Sequence, residues 1–292
     1  NMFDMVSRRG FVSLSAAAAA GLGLAGCSGN KESESAGSDA GSVKSSSKKK
    51  AVELQIFAAN SLEKALPEVQ ELYTDQTGTT FADTQFKASG DLVEQMKAGA
   101  AVDVLITASK GTMDDAETAE LVDTDTREDM FVNDLVIIRA EGSDTKVEAI
   151  ADVVNLDGKI AIGDAKTVPA GKYANQALAS VGLYTGTEGD DGEYAPEIAD
   201  KVALADKVGT AAAYVSTGDC VAGFVYSSDI YRYGGIEEAF VCPEDSHKPI
   251  VYPGVVAESS EHADEAKAFI DFCLSNKKAQ KIWAKYGFEL SE

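Results

Sequence analysis

Val52-Glu53-Leu54-Gln55-Ile56-Phe57-Ala58-Ala59-Asn60-Ser61-Leu62 decides how the folded part of this chain is read. Val52, Leu54 and Ile56 begin an extended apolar run with strand character. After Ser61 the period changes, and Leu62, Ala65, Leu66, Val69, Leu72 and Tyr73 recur at helical spacing, leaving Glu63, Lys64, Glu68 and Glu71 for solvent. The same transition recurs at Lys87-Ala88-Ser89-Gly90-Asp91-Leu92, where Leu92, Val93 and Met96 follow at helical spacing and Gly99 closes the helix. At a helix start the first backbone N–H groups lack intrahelical partners and the macrodipole is positive. Each serine therefore stands where an oxyanion can be held, and the two turns are expected to face one cleft. Either serine taken alone is by default an ordinary structural N-cap, and only the two together with the rest of the chain argue for a site. Pro67 lies beyond the first turn of a helix starting at Leu62, so it either kinks that helix or places its start further on.

The alternation continues along the chain. Val102 to Ile106, Leu135 to Ile138, Lys159 to Ile162 and Val221 to Tyr226 read as strands. Helices are expected from Pro169, which suits the first helical position, from Val208 to Val215, from Ala263 to Leu274 and from Lys277 to Tyr286. The pattern predicts an α/β fold whose sheets are mainly parallel and flanked by helices. Chain crossings are expected near Asn133-Asp134 and near Tyr252-Pro253-Gly254. Residues 51–132 and 253–292 then form one lobe and residues 133–252 the other, joined by a two-segment hinge, with the ligand cleft at the carboxyl ends of the strands.

The length of 292 residues and a hydrophobic content of 45% suit two domains of ordinary size, once the first fifty residues are set aside. Arg8-Arg9 precede a weakly apolar stretch from Gly10 to Gly26 that runs into Cys27, which reads as an export signal over residues 1–26 and is too short for a comfortable membrane span. Residues 27–50, mostly Ser, Gly, Lys, Glu and Asp, read as a flexible tether. Residues 1–50 hold seven Lys or Arg and four Asp or Glu, which leaves 19 of the 26 basic and 44 of the 48 acidic residues in the folded part. So acidic a domain argues against nucleic acid as a partner and against a broad basic funnel for anions. Cys220, Cys242 and Cys273 show no zinc or redox spacing; a Cys220–Cys242 disulfide and buried free thiols both remain open.

Nucleophilic serine catalysis has candidates in Ser61, Ser89, Ser227 and Ser228, but the only histidines, His247 and His262, sit in polar surroundings and no Gly-x-Ser-x-Gly elbow exists. No His or Cys pair has metal-ligand spacing. Gly171-Lys172 before a helix has the look of a phosphate-binding loop, yet Lys166 replaces its first glycine and Tyr173 its Ser or Thr. Pro169-Ala170-Gly171 would still expose early helix N–H groups with little side-chain obstruction.

Taken in order, Phe57 to Leu62, Ala88-Ser89-Gly90, Ala101 to Val104, Asn133 to Val136, Val168 to Ala174, Val225 to Asp229 and Pro243 to His247 resemble the molybdate-binding proteins of molybdate ABC transporters, from about Val52 to Phe288. Ser7 to Val12 resembles a twin-arginine signal, and Leu24 to Cys27 resembles a lipobox, implying cleavage before Cys27 and lipid on its thiol. The family resemblance implies a two-lobed periplasmic-binding-protein fold of type II that closes on a tetrahedral oxyanion. It implies that Ser61 and Ser89 bind through hydroxyl and N–H, Ala170 and Val208 through N–H, and Tyr226 through its hydroxyl. Asn60, where relatives usually carry alanine, is a departure beside the ligand. No metal is ligated directly; the five residues meet molybdenum or tungsten only as its oxyanion. Neither catalysis nor a cofactor is expected.

None of these five groups is charged, so a dianion would be held by dipoles and hydrogen bonds alone. Four converging helix starts at roughly half a charge each would total about two positive charges. A donor-only site also disfavours an anion that brings its own proton. The sequence thus predicts an exported lipoprotein, monomeric and attached to the membrane through Cys27. It lies in the periplasm or on the outer face of the cytoplasmic membrane, captures molybdate and tungstate, and presents them to an ABC permease. A receptor for sulfate or another tetrahedral oxyanion, and a secreted serine hydrolase, are the alternatives.

Overall fold

The computed structural model describes residues 51–291. The expected signal peptide at 1–26, the lipidated Cys27 and the tether at 27–50 lie outside the described residues. The opening strand is divided at Gln55, whose backbone N–H donates to Asp103 Oδ2 at 2.8 Å. This leaves β1 (Glu53–Leu54) and β2 (Ile56–Ala59). One 3-10 turn, Asn60–Leu62, precedes α1 (Ala65–Thr77). Pro67 is therefore the third helical residue, inside the first turn, where its missing N–H has no intrahelical partner to lose. β3 (Thr80–Phe81) and β4 (Gln85–Lys87) lead to α2 (Ser89–Lys97), β5 (Val104–Ile106), α3 (Lys110–Thr118) and β6 (Val122–Asn133).

Asp134 alone separates β6 from β7 (Leu135–Ala140). Next come β8 (Ile160–Gly163), α4 (Pro169–Ser180), α5 (Pro196–Ala199), β9 (Val202–Ala205), α6 (Val208–Ser216) and β10 (Ala222–Tyr226). The chain continues through α7 (Asp229–Arg232), β11 (Ile236–Val241) and β12 (Ile250–Ala257), and ends in α8 (Ala263–Ser275), α9 (Lys277–Lys285) and β13 (Glu289–Leu290).

Two larger sheets result, in the orders β13-β6-β12-β5-β2-β4 and β11-β7-β10-β8-β9, with β1 and β3 paired separately. Both are mixed, which corrects the expectation of mainly parallel sheets. β2 runs parallel to β4 and β5, and β8 runs parallel to β9 and β10. β6 and β12 pair antiparallel with each other, as do β7 and β10. The reason lies in the crossings: β6 carries the chain out of the six-stranded sheet and β12 brings it back alongside, so these two neighbours run in opposite directions. The first passage between sheets falls at Asn133-Asp134, as expected. The second lies between Val241 and Ile250, whereas Tyr252-Pro253-Gly254 sits inside β12, opposite β6. Every residue of β12 is buried, and Pro253 falls at a register shift, where a residue lacking an N–H is tolerated.

The end of the chain closes the core of the six-stranded sheet. Trp283 is fully buried, packs its ring 4.3 Å from Phe131, and donates its indole N–H to the Cys273 carbonyl at 3.0 Å. Asn276 caps α9, its Oδ1 accepting from the N–H groups of Lys278 (2.9 Å) and Ala279 (3.2 Å). Asn276→Ala is expected to cost about 1 kcal/mol and lower the melting temperature by about 2–4 °C, read by calorimetry. Cys220, Cys242 and Cys273 are buried free thiols, so the disulfide alternative is not realised. Burial pushes the Cys242 thiol up to about 12, which keeps it protonated at neutral pH.

Candidate functional site

A cavity of about 430 Å³ opens where the carboxyl ends of strands from both large sheets meet, and Ser61, Ser89, Ala170, Val208 and Tyr226 all line it. Each arrives by a local strand exit. Ser61 follows β2 in the 3-10 turn, Ser89 starts α2 after β4, and Val208 starts α6 after β9. Ala170 is the second residue of α4, behind Pro169, and Tyr226 ends β10. Ala170 and Val208 occupy first-turn positions, whose N–H groups have no carbonyl four residues back within their helices. Four α-helix starts reach the cavity, those of α2, α4 and α6 and that of α3 through its N-cap Ser109 and first-turn Thr112, whereas α1 begins only at Ala65. At roughly half a charge each, their idealised sum is about two positive charges.

The hydroxyls are held in defined ways. Ser89 Oγ accepts the Ala108 N–H at 2.9 Å, which leaves its own proton to donate. Ser61, nearly buried, has its Oγ 2.8 Å from the Tyr252 hydroxyl. Tyr226 packs edge-on to Tyr173 with centroids 6.3 Å apart, and its hydroxyl has no hydrogen-bond partner among the described residues. Burial holds the Tyr226 phenol well above its ordinary pKa, so it remains a neutral donor at any physiological pH.

Beneath Tyr226 lies a charged group that its surroundings hide from a sequence reading. Asp229 is fully buried; its Oδ2 accepts the Tyr226 backbone N–H at 2.9 Å, and its Oδ1 pairs with Arg232 at 3.1 Å. Burial pushes this carboxyl up to about 6, against the pull of Arg232. Arg232 also bonds Glu63 across the cleft at 3.1 Å, and it stacks over Tyr233. The i,i+3 spacing of Asp229 and Arg232 was visible in sequence; the desolvation that gives it weight was not. Arg232, Lys87 and Lys207 line the cavity together with Asp91 and Asp206, so its local charge is not that of the acidic domain around it. Asn60 lines it as well, exposed at the position where the family resemblance marked a departure. Tyr252, expected only near a crossing, is a further lining residue.

Neither histidine approaches the cleft serines through a hydrogen bond; His247 Nδ1 lies 2.8 Å from the carbonyl of Lys248. Among the described residues no group of three or more His, Cys, Asp or Glu is arranged to hold a metal ion.

Comparison with known proteins agrees with this architecture. Residues 54–289 match the family described as bacterial extracellular solute-binding protein. The molybdate-binding protein ModA of Escherichia coli is 32% identical, over 81% of this chain and 89% of that protein. YvgL of Bacillus subtilis, named as an ABC transporter substrate-binding lipoprotein, is 30% identical over 94% of this chain and 95% of its own length. A solved substrate-binding domain assigned to a molybdenum ABC transporter of Clostridium difficile superposes with a TM-score of 0.71 at 33% identity, covering 83% of this chain and all of that one. With its two mixed sheets, its double passage between them and a family match that spans nearly all of the described residues, the chain belongs to the bacterial extracellular solute-binding proteins.

Proposed function

We propose that this protein captures molybdate, and tungstate as its structural equivalent, in the cleft between the two sheets and delivers it to an ABC permease. The observation that carries the proposal is the convergence of Ser61, Ser89, Ala170, Val208 and Tyr226 from both sheets on one cavity. Ser61 and Ser89 belong to the lobe of the six-stranded sheet, and Ala170, Val208 and Tyr226 to that of the five-stranded sheet. An anion bonded to both sets favours the closed arrangement, because each lobe alone supplies only part of its donors. Hydrogen bonds to a charged acceptor contribute roughly 1.5–3 kcal/mol each, so five or more suffice for tight binding after the cost of closure. Sulfate presents the same donor demand at a different size. Hydrogen phosphate brings a proton that meets mostly donors, and is disfavoured accordingly.

Among the described residues the Ser61 and Ser89 hydroxyls are engaged by Tyr252 and by the Ala108 N–H, an arrangement suited to holding an anion. Membership of an extracellular family supports export, and the lipoprotein name of YvgL supports lipid attachment at Cys27. The function is tested by thermal unfolding with molybdate, tungstate, sulfate or phosphate present. Molybdate at a hundred times its dissociation constant is expected to add about 2.7 kcal/mol and raise the melting temperature by about 5–10 °C. A shift with sulfate alone would overturn the assignment. Tyr226→Phe is expected to weaken molybdate about tenfold by calorimetry while the apo melting temperature stays within a few degrees of the parent. Unchanged affinity would remove Tyr226 from the site.

A further inference from the structure

We propose that Asn133 and Tyr252 are positioning residues that set the direction of hydrogen bonding at Ser61, turning its proton into the cleft. This rests on Ser61 being a ligand of the anion. The relay can be traced atom by atom. Asn133, buried at the end of β6, receives the Ser228 backbone N–H at 3.4 Å and the Ser227 hydroxyl at 2.7 Å on its Oδ1. A backbone N–H can only donate, so this side of the amide is the oxygen. The amide nitrogen is then turned towards Ser228 Oγ at 2.8 Å and Tyr252 Oη at 3.2 Å.

An amide nitrogen can only donate, so Tyr252 Oη accepts from it. Tyr252 is fully buried, its ring edge-on to Phe288, and its hydroxyl has one other neighbour, Ser61 Oγ at 2.8 Å. Its single proton therefore goes to Ser61. Were Ser61 to donate instead, the phenol proton of the fully buried Tyr252 would be left without an acceptor, an arrangement that native structures avoid. Ser61 thus accepts from inside the protein, and its own proton is free for a ligand oxygen. Each bond in the chain polarises the next, which strengthens that final donor. The relay also starts from a residue at the passage between the sheets and from the loop that follows Tyr226, so the donor direction at Ser61 is set by residues of both lobes.

Replacing the amide by a carboxylate reverses the relay. In Asn133→Asp the residue accepts from Tyr252, whose oxygen then accepts the Ser61 proton and withdraws it from the cleft. Molybdate affinity is measured by calorimetry for the wild type, Ser61→Ala, Tyr252→Phe, Asn133→Asp and the pairwise combinations. Tyr252→Phe is expected to weaken molybdate about two- to tenfold, and to have no further effect once Ser61→Ala is present. Asn133→Asp is expected to lose more than Tyr252→Phe, and adding Tyr252→Phe to it is expected to recover part of that loss, because Ser61 regains its proton. A purely structural role for Tyr252 gives no such recovery. Full affinity in Tyr252→Phe, or an equal loss with and without Ser61, overturns the relay. If Asn133→Asp fails to fold, the Tyr252→Phe and Ser61→Ala cycle decides alone. A wild type that binds no molybdate instead overturns the proposed function, and a neutral Ser61→Ala overturns Ser61 as a ligand; either is distinct from failure of the relay.

Discussion

Arg232→Met is expected to destabilise the folded region by about 3–5 kcal/mol at pH 8, and by much less at pH 5. Asp229 is fully buried and Arg232 is its cationic partner at 3.1 Å, so the substitution leaves a carboxylate without compensation away from water. Methionine conserves most of the side-chain length, which keeps the loss electrostatic. The pH dependence follows from the raised pKa of Asp229. Asp229 titrates near 6 in the folded protein and near 3.8 unfolded, so between these values the native state holds the extra proton. Its contribution to stability is therefore greatest below about pH 4 and falls as pH rises through about 6, by about 3 kcal/mol in the intact protein. Without Arg232 the carboxyl moves higher still, since that guanidinium pulls it down, and the variant gains more than the parent on acidification. Urea unfolding midpoints at pH 5 and pH 8 read the difference. Equal losses at both values would mean that packing, not charge, is the contribution of Arg232. Molybdate binding is expected to fall as well, because Asp229 holds the Tyr226 backbone and Arg232 bonds Glu63 of the opposite lobe.

Gly171→Ala is expected to cost about 3 kcal/mol and to abolish measurable molybdate binding. A Cβ at Gly171 would lie 1.8 Å from the carbonyl oxygen of Gly163, the last residue of β8. Both atoms in that collision are tied to backbone, so no side chain can swing aside. The start of α4 must instead move off the sheet by more than an ångström, carrying the Ala170 N–H with it. Hydrogen bonds weaken steeply with distance and angle, so a donor displaced that far is lost to the anion. Chemical unfolding and calorimetry test the two parts separately. Wild-type affinity in a variant of lowered stability would show that α4 relaxes without moving Ala170. The glycine in Pro169-Ala170-Gly171 is therefore required by close approach of backbone to backbone, a constraint distinct from the lack of side-chain obstruction read from the sequence.

Much of the candidate site was legible because its parts are local. A strand that passes into a helix changes its apolar period at the exit, and Ser61, Ser89, Val208 and the Pro169-Ala170 turn all stand at such changes. What that reading missed at Ser61 is the kind of turn: a single 3-10 turn followed by a helix from Ala65, with Pro67 as the local sign that regular structure begins late. Tyr252 and Asn133 were noticed only as markers of crossings. Their part at Ser61 spans 191 residues from Ser61 to Tyr252 and 119 from Tyr252 to Asn133, distances over which no periodicity carries information. Nothing local to Arg232, four positions after Ser228, marks it as the partner of a buried carboxylate.

The order of strands and helices and the two-sheet class were determined by the sequence itself, because apolar period and helix-start chemistry are short-range properties; the set of five cleft residues is what the family resemblance implied. Tertiary structure alone decided that the sheets are mixed, that the second passage precedes Ile250, that Asp229 is desolvated, and which way the Ser61 hydroxyl points. Those outcomes depend on which strands pair and on which groups lose water, and neither is written in any one stretch of the chain.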